Sequence, residues 1–376
     1  ELGLTYMGPV DGHNIHEIIE SLETAKNIEG PLLMHIITKK GKGYKFAEQR
    51  PNEFHGISAF NIETGEKLKK SSLSFSDYFG MKMCEIAEEN ENVAAITAAM
   101  TDGTGLKDFS KKFPNRIYDA GIAEQHAVTM AAGLAVSGLI PVVAIYSSFL
   151  QRAYDQVIHD VALQNLHVVF AVDRAGLVGD DGETHQGVFD EGFLSLIPNM
   201  TVLAPADYRE FGNMLEFAVL FDGPVAIRYP RGCMNENISN SDTDITIGKG
   251  YIVEEGNDIT IASAGKMVKT AVEIREILKT ANIDAEVINL RFIKPFDKEL
   301  ILGSVNKTSS LVIIDEAPIY ASYAMNIFNI IPKNVDVLLK ALPDKFIKQG
   351  SIDELLRENK LDADSIAADI IKRRAK

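Results

Sequence analysis

The chain is predicted to be an α/β protein in which a parallel sheet, covered on both faces, is followed by a second and smaller α/β unit. Three observations lead there. Between Ser74 and about Tyr229, helical periodicity alternates with short apolar runs, the pattern of strands joined by crossover helices. Residues 232–246 then interrupt it with a polar, turn-rich stretch that suits a domain boundary. Beyond that stretch the alternation resumes with four more short apolar runs.

Taken in order, the first element is a helix. Asn14 and Glu17 fit a capping box, and Ile15, Ile18, Ile19, Leu22 and Ala25 follow at helical spacing. Pro31 opens Leu32–Thr38, which reads as a buried parallel strand. Residues 39–72 are polar with little apolar periodicity and read as a long extended connection. Helical spacing of Phe79, Met83 and Ile86 precedes a strand at Val93–Thr97. A small-residue helix beginning near Glu124 precedes a strand at Pro141–Tyr146, and a helix from about Leu150 to Leu163 precedes one at Leu166–Val172. Asp207–Phe221 is the next helix and Val225–Arg228 the next strand. In the second unit, strands are predicted near Ile259–Ser263, Ala285–Leu290, Leu311–Asp315 and Val335–Leu339.

Composition bounds the function. A chain of 376 residues is too long for one ordinary core. Its net charge of −15 argues against a general nucleic-acid surface, so anionic ligands have to be met by a few local cations. No stretch approaches the roughly 20 apolar residues of a membrane span. Two cysteines, Cys84 and Cys233, allow neither a disulfide framework nor a cysteine-based zinc site. The opening Glu-Leu-Gly-Leu-Thr is neither an initiator Met nor a signal peptide.

The most informative string is Asp119-Ala120-Gly121-Ile122-Ala123-Glu124-Gln125-His126, running into Ala127–Ala135. It puts one carboxylate at the positive end of a helix whose other residues are mostly small and apolar. Taken singly, such a Glu more often just complements the helix dipole. Three strand-end loops change that reading, because ligands of parallel sheets bind at the carboxyl ends of strands. Tyr146–Arg152 brings two aromatics and a cation, although an aromatic pair alone is more often core. Asp173–Gly187 holds four glycines, which let backbone approach a ligand, and the acid/base-capable Asp181 and His185. Arg228-Tyr229-Pro230-Arg231-Gly232 offers two guanidinium groups suited to a phosphate, or else a solvated basic turn. Lys39-Lys40-Gly41-Lys42-Gly43-Tyr44 lacks the spacing of a phosphate loop.

These segments together resemble the 1-deoxy-D-xylulose-5-phosphate synthases, thiamine-diphosphate enzymes of the transketolase superfamily. Gly8–His13, Thr38–Tyr44, Gly103–Leu106, the Glu124 segment, Tyr146–Val157, Arg174–Asp190, Arg228–Gly232, Leu342–Phe346 and Gly350–Leu356 carry the likeness, which covers essentially the whole chain. The resemblance implies three parts: the end of a diphosphate-binding domain with its linker (1–72), a pyrimidine-binding domain (73–235) and a transketolase-like carboxyl-terminal domain (236–376). It implies condensation of pyruvate with D-glyceraldehyde 3-phosphate, with release of CO₂, as the first step of the non-mevalonate isoprenoid pathway. By the same resemblance Glu124 serves the aminopyrimidine nitrogen of thiamine diphosphate, a task that suits a carboxyl group whose pKa is raised in a dry pocket. Phe149 stacks on that ring, Tyr44 contacts the cofactor and Lys40 neutralises charge nearby. His55, Asp181 and His185 handle protons at the reacting centre. Tyr146, Arg174 and Arg231 hold the substrate phosphate, with Arg228 a weaker candidate. A cytoplasmic homodimer that binds neither nucleic acid nor membrane is implied as well.

Two departures stand out. The Gly-Asp-Gly segment and later Asn with which the family holds Mg²⁺ are absent from the sequence, so the chain is expected to be a carboxyl-terminal portion without the metal site. Asp315–Ala324 replaces the glycine-rich turn usual in relatives, which touches local packing and not the chemistry. Two other readings stay open: the β subunit of a 2-oxoacid dehydrogenase or another transketolase-like enzyme, and a catalytically empty pyrimidine-domain subunit. Calorimetry of the chain alone with thiamine diphosphate and Mg²⁺ is expected to show weak binding or none, and micromolar binding contradicts the truncation reading.

Overall fold

A computed structural model describes residues 3–51, 53–57, 59–68, 72–233, 238 and 244–375. Most of the polar boundary stretch 232–246 lies outside the described residues. The chain divides into two compact units, Glu1–Ser71 and Ser72–Lys376.

In the first unit, strand Thr5–Asp11 pairs in parallel with Leu32–Ile37, and helix Ile15–Ala25 links them. Asn14 caps the helix by accepting from the Glu17 N–H, but Glu17 accepts from the Asp11 N–H, so the capping box closes one residue cluster earlier than its sequence form. The Leu32–Ile37 strand is parallel as expected but not buried: Leu33, Ile36 and Ile37 are exposed. A two-stranded sheet with one helix has no second layer to cover both faces. The expected extended connection is also corrected. Helix Lys45–Gln49 interrupts it, and Tyr44 packs at 5.5, 5.6 and 5.8 Å from Phe46, Phe54 and Phe60. Four aromatics spaced irregularly along a polar stretch have no periodicity to betray a small core.

The second unit holds a seven-stranded and a five-stranded sheet. Across the first, the strands run in the order Phe292–Lys294, Thr201–Leu203, Val225–Arg228, Val169–Asp173, Ile140–Tyr146, Val93–Thr97 and Ile117–Asp119. All its pairings are parallel except the Phe292–Lys294 edge, which is antiparallel and comes from beyond the boundary stretch. The chain adds Ile117–Asp119 on one side of Val93–Thr97 and Ile140–Tyr146 on the other. This reversal opens a crevice at the carboxyl ends of the two inner strands, the usual ligand position in such sheets.

Five strands escaped the sequence reading: Thr5–Asp11, which precedes the helix expected to come first, and the short Ile117–Asp119, Thr201–Leu203, Tyr251–Glu254 and Phe292–Lys294. Two expected elements are redrawn. The Leu166–Val172 strand begins at Val169, after a turn through Asn165 at φ 52°. The Leu150–Leu163 helix is a succession of short pieces, Ser147–Leu150, Gln151–Ala153, Tyr154–Gln156 and the π-helical Val157–Ala162. A wide π turn inserts a residue into the helical period, which an apolar pattern read at 3.6 residues per turn smooths over.

The five-stranded sheet runs Asp336–Leu342, Ser310–Pro318, Ile259–Ser263, Ala285–Asn289, Tyr251–Glu254, antiparallel only at its last pair. Glu210, on helix Tyr208–Leu220, ties the two sheets together. Its carboxylate accepts from the Ala206 N–H at 2.6 Å, from Asn289 Nδ2 at 3.1 Å and from Arg291 Nε at 2.6 Å, all buried. Removing one member of a buried ion pair strands the other charge, so Glu210→Ala is expected to destabilise the second unit by about 3–5 kcal/mol. A urea midpoint lowered accordingly at unchanged slope checks this.

Candidate active site

Glu124 is the first residue of helix Glu124–Val136, with Ala123 as its N-cap. It is buried, and its charged partner is Arg152, whose Nε lies 3.5 Å from Oε2. The helix buries Ala127, Val128, Ala131 and Ala132 on one face, and these small side chains let it lie close to the sheet.

The strand Ile140–Tyr146 delivers Tyr146 to the crevice. Gly103, in the loop after Val93–Thr97, lies so close that a Cβ there would sit 1.7 Å from the Tyr146 hydroxyl. Phe149 stacks beside Tyr146 at 5.8 Å and 26°, and His185 meets Phe149 edge-on at 5.1 Å. The Arg174 guanidinium lies 3.8 Å over the Tyr146 ring, a close cation–π contact. Asp181 joins two cations: Arg174 at 3.4 Å and Arg231 at 3.2 Å. Arg231 also donates to the Val178 carbonyl at 3.1 Å. Burial pushes the Tyr146 hydroxyl up from its ordinary pKa, and the nearby Arg174 charge works against that rise.

The structure thus brings Tyr146, Phe149, Arg174, Asp181, His185 and Arg231 into one connected group. Arg228 is not in it. Its guanidinium is buried and committed, with Nε and Nη2 on Asp190 at 2.9 and 3.1 Å and Nη1 on Glu191 at 3.1 Å. The expectation that Arg228 helps hold a phosphate is corrected on this ground. Burial opposes its charge, but Asp190 and Glu191 more than compensate and hold its proton tightly. Lys40, Tyr44 and His55 belong to the first unit: Lys40 and His55 are exposed, and the Tyr44 hydroxyl donates to the Ile62 carbonyl at 2.8 Å. Sequence reasoning gave no role to Gly103 or Asp173 beside this site, and read Arg152 only as a cation at a strand end. An acid closing the apolar run Val168–Val172 was the available signal for Asp173.

The loop Arg174–Phe189 is braced by the five-stranded part. Lys266 Nζ donates to the Leu177 carbonyl at 3.3 Å and pairs with Glu316 at 2.9 Å. Gln186 accepts from the Val178 N–H at 2.9 Å and donates to the Lys348 carbonyl at 3.1 Å. Leu177 and Val188 pack with Leu342, Ile347, Leu355 and Leu361. The crevice of the second sheet is filled by this contact, leaving a cavity of about 20 Å³ lined by Gly176, Lys266, Asp315 and Glu316 among others.

A buried carboxyl group at a helix start, an aromatic face and a glycine-rich loop suit a flat heterocycle, and two arginines suit a phosphate. Among the described residues, no group of three or more His, Cys, Asp or Glu side chains is placed to hold a metal ion. No described helix is long and apolar enough to cross a membrane.

Comparison with known proteins agrees with this geometry. The family model for the transketolase pyrimidine binding domain matches residues 71–236, that for the transketolase C-terminal domain residues 248–366, and that for 1-deoxy-D-xylulose-5-phosphate synthase residues 1–38. The 1-deoxy-D-xylulose-5-phosphate synthase of Caldanaerobacter subterraneus subsp. tengcongensis is 50% identical over 99% of this chain and 60% of its own length. That of Clostridium tetani is 46% identical over 99% and 60%. The chain therefore spans about 60% of the length of these relatives. A split-gene transketolase, solved as an inactive beta4 tetramer, is 28% identical with a TM-score of 0.73 over 80% of this chain and 98% of its own. Campylobacter jejuni transketolase, at 16% identity, shares the fold with a TM-score of 0.68 over 98% of this chain and 67% of its own.

Gly103→Ala is expected to push the Tyr146 ring aside and break its stack with Arg174. The difference between the tyrosine absorbance titrations of the variant and the unaltered protein checks this, with one hydroxyl easing toward ordinary behaviour as Tyr146 leaves its buried place.

Proposed function

From a chain that belongs to the 1-deoxy-D-xylulose-5-phosphate synthases of the transketolase family and matches their carboxyl-terminal portion, we propose the following activity. In its whole protein, the chain supplies the pyrimidine-side half of a site that joins pyruvate to D-glyceraldehyde 3-phosphate with loss of CO₂. The product is 1-deoxy-D-xylulose 5-phosphate. The observation that carries this reading is the cluster of Tyr146, Phe149, Arg174, Asp181, His185 and Arg231 at the strand ends of the seven-stranded sheet. Glu124 is buried on the helix before the Tyr146 strand and pairs with Arg152, three residues after Phe149. We assign residues 1–72 to the end of a diphosphate-binding domain, 73–235 to the pyrimidine-binding domain and 236–376 to the carboxyl-terminal domain. The protein is read as a cytoplasmic homodimer.

Thiamine diphosphate, when bound, supplies the carbon nucleophile of the reaction. Glu124, buried at the start of its helix, is read as the partner of a ring nitrogen. Phe149 offers an aromatic surface, backed by Tyr146 on one side and His185 at its edge. Arg174 and Arg231 give the aldehyde substrate's phosphate a pair of charge-assisted hydrogen-bond donors. Their bridge through Asp181 sets the spacing between them and keeps both extended before the phosphate arrives. Asp181 and His185 stand beside that cluster as proton carriers for the developing hydroxyl groups. Lys40, Tyr44 and His55 are assigned to the cofactor and reacting centre through family resemblance. Magnesium is given no ligand among the described residues.

A β-type subunit of a 2-oxoacid dehydrogenase has no comparable support, since the amino-terminal family match is to the synthase. The test is CO₂ release from pyruvate, dependent on D-glyceraldehyde 3-phosphate, with the amino-terminal portion of a relative supplied in trans. Glu124→Gln is expected to lose turnover on the order of 10²-fold or more. Arg174→Met or Arg231→Met is expected to weaken use of the phosphorylated aldehyde by about 1.5–3 kcal/mol, leaving pyruvate binding nearly intact. Equal loss toward pyruvate overturns the phosphate assignment.

A further inference from the structure

Three side chains stand side by side at the carboxyl edge of the seven-stranded sheet. Tyr146 is paired in register with Asp173, and Val172 with Arg228, so the next residue, Tyr229, falls beside Asp173. In-register neighbours of a parallel sheet share a face, here the face covered by helix Phe75–Glu89. From that helix Ser76 Oγ donates to Asp173 Oδ2 at 2.7 Å. Asp173 and Tyr229 are wholly buried, and among the described residues neither Asp173 Oδ1 nor the Tyr229 hydroxyl has a hydrogen-bond partner. The site chemistry described above uses neither of them.

The next residue along the chain explains why an acid stands there. Arg174 has φ 61°, a left-handed backbone that is costly for a residue with a Cβ. That turn swings its guanidinium back over Tyr146, the ladder's first member, at 3.8 Å. We infer that Asp173 is a positioning residue: its buried carboxyl, tied to helix Phe75–Glu89 through Ser76 and set in register beside Tyr146, anchors the strand end from which Arg174 makes its left-handed turn, and so fixes the guanidinium over Tyr146. The inference rests on the preceding reading of Arg174 as a phosphate-holding residue and gives that residue its support.

The charge state of Asp173 then governs the hold. Burial pushes its carboxyl up to about 7, while the Ser76 hydroxyl, the Arg174 charge and the Arg174 backbone N–H favour the anion and Asp77 disfavours it. Tyr146 and Tyr229 face it from the adjoining strands, and Asp181 and Arg231 lie beyond Tyr146. Above about pH 7 the carboxylate carries a charge that attracts the Arg174 guanidinium, and below it the proton removes that attraction. Stability runs the other way. A carboxyl raised from 3.8 to about 7 contributes stability that is complete below the lower value and lost as pH rises through the upper. Asp173→Asn removes the buried charge, so its melting temperature at alkaline pH is expected to match or exceed that of the unaltered protein.

The test uses the whole chain with ¹⁵N-labelled arginine, the Arg174 Nε–H signal being assigned by its loss in Arg174→Lys. That signal, lying over the Tyr146 ring, is expected to shift as pH rises through about 7. In Asp173→Asn it stays constant across the same range. In Ser76→Ala, which keeps the carboxyl and removes a hydroxyl favouring its anion, the midpoint moves up. An Arg174 signal that ignores pH in the unaltered protein, or that titrates alike in Asp173→Asn, overturns the proposal. Calorimetric titration with D-glyceraldehyde 3-phosphate at alkaline pH is expected to be about tenfold weaker in Asp173→Asn, the scale of one weakened charged hydrogen bond. If the unaltered protein ignores this ligand, the phosphate reading fails, while the arginine signal still judges Asp173.

Discussion

The second unit depends on one guanidinium with almost no water around it. Arg228 ends a strand of the seven-stranded sheet and grips Asp190 and Glu191, which begin the helix Asp190–Leu196. Glu191 in turn accepts the Tyr323 N–H at 2.7 Å, and burial followed by the charge of Asp315 pushes its carboxyl well up. Asp315 and Tyr323 come from the five-stranded part, so this cluster joins both sheets where their strand ends meet. A buried cluster of this kind is weak evidence for stability but exacting about geometry, because each charge tolerates few arrangements of its partners. Here it pins the far end of the loop whose near end is the Asp173–Arg174 corner.

With both ends of that loop fixed, the cations keep their places. Asp181 lies between Arg174 and Arg231, which repel each other unless a carboxylate intervenes. The aromatic ring under Arg174 restricts it further, and Gly103 leaves the Tyr146 hydroxyl its room. The arrangement is preorganised: the costs of gathering like charges and of a left-handed backbone are met during folding rather than on binding.

The candidate site was unevenly legible in the sequence, and the reasons are physical. Glu124, Tyr146, Phe149, Arg174, Asp181, His185 and Arg231 were legible because each sits at or after a buried strand or helix start, where pattern marks position. Arg228, three residues before Arg231, reads as a weaker phosphate candidate; only the fold shows that Asp190 and Glu191, distant in sequence, have claimed it. Strands of three or four residues, such as Thr201–Leu203 and Phe292–Lys294, are too short to display a period. The aromatic cluster around Tyr44 was hidden because its members are spaced by turns and not by a regular element.

The crevice of the five-stranded sheet has a consequence of its own. In open parallel sheets such a cleft is where a small molecule ordinarily lodges, yet Gly176 and Leu177 lie across it against Glu316 and Lys266. The chain acts as its own guest there. A small molecule entering that cleft has to displace the loop bearing Arg174 and Asp181, and with it the spacing of the two guanidinium groups.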